Sequence, residues 1–98
     1  MKNYQFRIRG INNREIDAIC PFPLEPDEFE TRLDALIEEI GKIAIVVDVE
    51  REGSLIKIDF RETSNVEELK LKIITVLKTD SAKCLRIVSD VSEELGGN

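Results

Sequence analysis

Ninety-eight residues, 42% of them apolar, allow one domain with one core and exclude a disordered chain. Twenty acidic residues against fourteen basic ones leave a net charge of -6, which opposes non-specific attraction to nucleic-acid phosphates. There is no histidine, so the commonest general base and the usual nitrogen ligand of zinc are missing, and two cysteines are too few for a disulfide scaffold.

At the N-terminus, Tyr4, Phe6 and Ile8 alternate with Gln5, Arg7 and Arg9, the pattern of a half-buried strand. Charges threaded through MKNYQFRIRG do not fit a signal peptide, and no apolar run approaches the roughly 18–20 residues that span a bilayer. A cytoplasmic protein with reduced thiols is the expectation. Gly10 to Asn13 reads as a turn. Ile16, Ala18 and Cys20 then alternate with Glu15, Asp17 and Ile19, a second strand over 15–20 that Pro21 and Pro23 end.

Pro26 suits a first helical position, and Asp27, Glu28 and Glu30 favour the positive end of a helix dipole. Phe29, Leu33, Leu36, Ile37 and Ile40 form one apolar stripe, with Gly41 placed just past the cap. Ile43 to Arg61 is the longest block of β-type residues and predicts a hairpin turning at Arg51-Glu52-Gly53-Ser54. Alternation puts Ile43, Ile45, Val47 and Val49 on the core face and Ala44, Val46, Asp48 and Glu50 on the other. Ser64 and Glu67 have capping-box spacing, ahead of a second stripe at Val66, Leu69, Ile73, Val76 and Leu77. Cys84 to Val91 predicts a last strand. One α+β domain over 1–91 is expected, with 92–98 as a flexible tail.

An offset of 40 carries Ile16, Ala18 and Cys20 onto Ile56, Ile58 and Phe60, and Phe29, Leu33, Leu36 and Ile37 onto Leu69, Ile73, Val76 and Leu77. It also carries Ile45 and Val47 onto Leu85 and Ile87. Two strand–helix–strand units joined by a hairpin give a ferredoxin-like βαββαβ two-layer sandwich, an antiparallel sheet with two helices on one face. Tyr4–Arg9 is then an additional N-terminal strand, paired either with 15–20 or at a sheet edge.

Little in the chain points to chemistry. Acid pairs such as Glu38-Glu39, Glu67-Glu68 and Glu93-Glu94 read as solvated positions, no glycine-rich phosphate loop occurs, and no enzyme, cofactor or metal site is expected. The topology is shared with RNA-recognition modules, but the strand 53–60 offers one aromatic, Phe60, which alternation turns into the core, so no nucleic-acid partner is expected. Arg7, Arg9, Lys57, Asp59, Arg61 and Arg86 are expected on the sheet face away from the helices.

Cys20-Pro21-Phe22-Pro23 resembles the Cys-Pro-x-Pro signature of TusA/SirA-like sulfur carriers, over about Ile16 to Leu24. That resemblance implies a persulfide-accepting Cys20 near a helix N-terminus, where a thiol pKa can fall. The family runs βαβαββ, unlike the order expected here. The offset places Cys20 opposite core-facing Phe60, so Cys20 reads first as a packed small hydrophobe.

The remaining signal is apolar. Ile19, Ala44, Val46, Leu55, Cys84 and Val88 are expected on the open sheet face, where aliphatic side chains mark a contact site. The expected function is a small non-catalytic interaction or regulatory domain, acting through its sheet face or an edge strand. Its partner is another protein, a homodimer being the simplest case, with no membrane partner. Two alternatives belong to other classes. One is a sulfur carrier using Cys20. The other is an acidic mimic of nucleic acid presenting Glu25, Asp27, Glu28, Glu30, Asp34, Glu38 and Glu39.

Overall fold

A computed structural model describes the backbone of residues 1–90 and the side chains of residues 1–88. The expected tail 92–98 lies outside the described residues. The elements are strand β1 (Lys2–Gly10), helix α1 (Pro26–Gly41), strands β2 (Val46–Glu52) and β3 (Leu55–Phe60), helix α2 (Val66–Val76) and strand β4 (Leu85–Asp90). The strands form one sheet in the order β2-β3-β1-β4, with every neighbouring pair antiparallel. This is the α+β, ferredoxin-like two-layer class that the sequence predicts.

Alternation builds the interior. Tyr4, Phe6 and Ile8 from β1 and Ile56, Ile58 and Phe60 from β3 enter one buried cluster with Leu33, Leu36 and Ile40 of α1 and Leu69 and Ile73 of α2. Both helices therefore cover the same sheet face. Fully burying one such side chain stabilises the fold by about 1.5–3 kcal/mol.

The structure departs from the expected form in three places. First, the described residues hold no strand beyond the four of the βαββαβ unit. Tyr4–Arg9 is the first strand of the βαββαβ unit, and residues 16–20 form no strand. At the offset of 40 the repeat holds for the helices and for the entry to the second strands, where Leu33 and Ile73, and Ile45 and Leu85, are buried, but Val47 is 54% exposed where Ile87 packs against the core. It fails for the first strands, because Ile16 is 41% exposed where Ile56 is fully buried. The true pair is β1 and β3, and the chain takes a much longer path from Gly10 to Pro26 than from Phe60 to Val66.

Second, β2 has a bulge. Val46 pairs with Phe60 and Asp48 with Asp59, leaving Val47 as the extra residue. A bulge turns a side chain to the opposite face. Val46 consequently packs against the core and Val47 is exposed, the reverse of simple alternation. Third, β4 has its own bulge. Arg7 pairs with Ser89 and Ile8 with Ile87, so Val88 is extra.

Caps also differ in detail. Asn65, not Ser64, caps α2, its side chain accepting from Glu68 N at 2.8 Å. Gly41 is still helical, and Lys42 is the C-cap of α1. Gly53 turns the hairpin at φ 61, a left-handed conformation that glycine adopts without steric cost.

Candidate interaction site

The long connection between β1 and α1 carries the most unusual surface. Asn12 opens it by capping a 3-10 turn, Asn13–Glu15. Its side chain accepts from Arg14 N at 2.9 Å, and the Glu15 carboxylate accepts from Asn12 N at 2.9 Å. Glu15 is also gripped by both terminal nitrogens of Arg9 and lies 3.6 Å from Arg86 Nε. The Arg9 hydrogen bond, then the Asn12 N–H, lower the Glu15 pKa to about 2.

Asp17 explains why 15–20 is not a strand. Its carboxylate accepts from Ile19 N and Cys20 N, both at 2.8 Å, so donors a ladder would need are satisfied locally. Those bonds, that of Cys20 first, hold the Asp17 carboxyl below the usual range. Pro21 and Pro23 then supply no donor at all.

Cys20 and Cys84 form a disulfide, with their Cα atoms 5.7 Å apart. The expectation of two separate reduced thiols is corrected here: Cys20 has no free thiol in this structure. Nothing in the sequence pairs the two, since each sits at the end of an apolar alternation and reads as packing. With Ile11 they make a small buried cluster, against which Leu24 packs. Cys84 has φ 74, a left-handed backbone that costs a non-glycine residue about 1–3 kcal/mol. Its carbonyl accepts from Ile11 N at 3.0 Å.

Between Asn12 and Pro23, Cys20 is the one buried residue. Its neighbours face solvent: Ile16 is 41% exposed, Ile19 65% and Phe22 76%. Isolated exposed apolar residues are ordinary, whereas here three large ones share one short loop. Beside the loop runs a groove of about 470 Å³, bordered mainly by apolar residues (Ile8, Ile11, Leu24, Pro26 and Phe29) with Arg9 and Ser54 among its lining. A second hollow, about 250 Å³, borders the disulfide and takes in Phe22, Glu28, Arg32 and Lys83.

The six residues expected to form one patch are dispersed. Ile19 lies on the loop, off the sheet, and Ala44 is exposed in the turn before β2. The β2 bulge moves Val46 to the core side. Leu55 is half-buried at the hairpin, Cys84 is buried in the disulfide, and Val88 is exposed on the β4 bulge. The open face is instead largely polar, with Asn3, Gln5, Arg7 and Arg9 on β1 and Lys57 and Asp59 on β3. Only Ile19 and Cys84 of the six belong to the disulfide-anchored loop region. Phe22 and Ile16 escaped the sequence reading because they look like strand and linker positions. The usable signal was the aromatic between two prolines.

Four acidic residues of α1 are divided between two basic partners. Arg51 binds Glu30 and Asp34, at 2.8 and 3.3 Å, and Lys42 binds Glu38 and Glu39, at 3.7 and 3.1 Å. The Arg51 hydrogen bond lowers the pKa of Glu30, and the Glu39 hydrogen bond, with the charges of Glu39 and Glu38, raises that of Lys42. Among the described residues no helix is long and apolar enough to cross a membrane. No family model, no curated protein and no solved structure matches this chain.

Proposed function

We propose that this chain is a small, non-catalytic protein-interaction domain whose contact surface is the loop 16–23, and that its partner is a second copy of itself. The observation that carries this reading is the exposure of Ile19 (65%) and Phe22 (76%) on a loop tied down by a disulfide. Large apolar side chains on a fixed support can bury area without a large ordering cost.

Self-association is favoured by what lies next to the loop. A two-fold interface needs one patch that is complementary to itself. Here a protruding aromatic, Phe22, stands at the hollow beside the disulfide, which shares Leu24 with the groove bordered by Ile8, Ile11, Pro26 and Phe29, so each copy offers both a knob and a receptacle. An aromatic anchor seated in an apolar pocket is the usual energetic centre of an interface.

Light scattering of the full chain at micromolar concentration tests this. The expected result is a mass above the 11.2 kDa of one copy, falling to one copy in Phe22→Ser. A wild-type chain that stays at single-copy mass overturns the proposal. The cytoplasm is the compartment we propose, and there a disulfide is more often transient and redox-sensing than structural. A sulfur-carrier role for Cys20 belongs only to the reduced chain, in which its thiol is released.

A further inference from the structure

The Cys20–Cys84 bond joins residues 64 positions apart and is the covalent tie between the loop and the start of β4. We propose that it is a reversible redox latch: a dithiol reductant opens it, frees residues 16–23, and leaves the rest of the domain folded.

Four observations carry this. Cys20 is the sole buried residue of the loop 16–23, and the ion pairs of Glu15 with Arg9 and Arg86 hold the chain only up to the start of that loop. The hydrogen bonds within 16–23 are local, Asp17 to Ile19 and Cys20, and join the loop only to itself. The main core, from Tyr4 to Leu85, contains neither cysteine; both belong to the separate small cluster with Ile11. And Cys84 sits at φ 74, a left-handed conformation that an untethered cysteine has reason to leave.

The chemistry balances as ordinary thiol–disulfide exchange. A thiolate of the dithiol attacks one protein sulfur, the Cys20–Cys84 bond breaks, and a mixed disulfide forms. The second thiol of the reductant then displaces the protein sulfur and closes its own disulfide. Two electrons and two protons end on Cys20 and Cys84, and a disulfide oxidant runs the sequence backwards. The hollow beside the bond gives a small reagent a way in, and Arg32 and Lys83 on its rim favour the departing thiolate, with Glu28 opposing them. Local opening of the loop completes the access, since the two cysteines are only 3% and 5% exposed.

The consequence for association rests on the reading of 16–23 as the contact surface, so the two are measured separately. The full chain is incubated without denaturant with dithiothreitol or left oxidised, then followed by iodoacetamide labelling, residue-resolved amide exchange and light scattering. The latch predicts labelling of both thiols after reduction and at least tenfold faster exchange at Ile19 and Cys20, whose amides the Asp17 carboxylate protects while the loop is tied. It also predicts less than twofold change at Phe6, Ile8, Ile56 and Ile58, and recovery with oxidised glutathione. Failure to label both cysteines, or loss of protection across the whole sheet, overturns it. Cys20→Ser/Cys84→Ser, the permanent equivalent of the reduced chain, must show the same fast loop with an intact sheet. A variant that is unfolded, or whose loop exchanges as slowly as in the oxidised chain, overturns the latch as well. If the loop is freed and the mass stays that of the dimer, the latch stands and the contact-surface reading falls.

Discussion

Arg9 and Arg86 lie opposite one another across β1 and β4, two like charges in register on the open face of the sheet. Like charges placed directly opposite destabilise a sheet. Glu15, delivered by the 3-10 turn, resolves the conflict by taking both terminal nitrogens of Arg9 and standing 3.6 Å from Arg86. The turn and the ladder are thus one electrostatic unit, although Glu15 is outside every strand.

This fixes a pH dependence. The Glu15 pKa is lowered from 4.5 to about 2. A depressed carboxylate pKa means the folded state favours the ionised form. Its contribution is complete above about pH 4.5 and is lost as pH falls toward about 2. Glu15→Gln should unfold at lower urea than the parent at pH 7, and the two midpoints should converge near pH 2. Equal midpoints at pH 7 would show that the three-residue arrangement adds nothing.

The β2 bulge makes two adjacent valines unequal. Val46→Lys places a charge against the core beside Phe60 and should cost about 1–3 kcal/mol. Val47→Lys, at a side chain 54% exposed, should stay within about 0.5 kcal/mol of the parent. Urea denaturation of the pair reads the bulge directly. The opposite ranking would restore simple alternation.

In the core, Leu36 is fully buried on α1 and Leu71 is 66% exposed on α2. Leu36→Ala should lose about 2–5 kcal/mol, the transfer term plus a cavity. Leu71→Ala, with no cavity to leave, should lose under about 0.5 kcal/mol. Thermal unfolding followed by circular dichroism separates the two without ambiguity.

The cap of α2 gives a sharper local comparison. Asn65→Ala removes the acceptor for Glu68 N and should cost about 1 kcal/mol. Ser64→Ala should cost less, because the contact Ser64 makes with Lys2 Nζ uses its backbone carbonyl and survives the substitution. Capping by Ser64, as the Ser-x-x-Glu spacing suggests, would reverse that order.

Both helices, three of the four strands near their true bounds and most of the core were legible from periodicity alone. Helical stripes and period-two alternation report burial wherever the backbone is regular. The failures share one cause: local hydrogen bonding or an inserted residue overrides the period. Asp17 caps the donors of Ile19 and Cys20 and so cancels a strand that Ile16, Ala18 and Cys20 spell out. Val47 slips into β2 and exchanges the faces of its neighbours. Neither event changes composition, and neither leaves a periodic trace. The exposure of loop 16–23 is hidden for a related reason. Ile16 and Ile19 read as strand positions and Phe22 as a linker position, and the closure of Cys20 onto Cys84 ties them into one loop instead.

Both outer strands carry an extra residue, Val47 in β2 and Val88 in β4. Flat, regular margins let one folded molecule template the next into fibrils, and irregular margins interrupt that stacking. An acidic chain exposing Ile19 and Phe22 thus presents no flat, regular strand at either margin of its sheet for another molecule to extend.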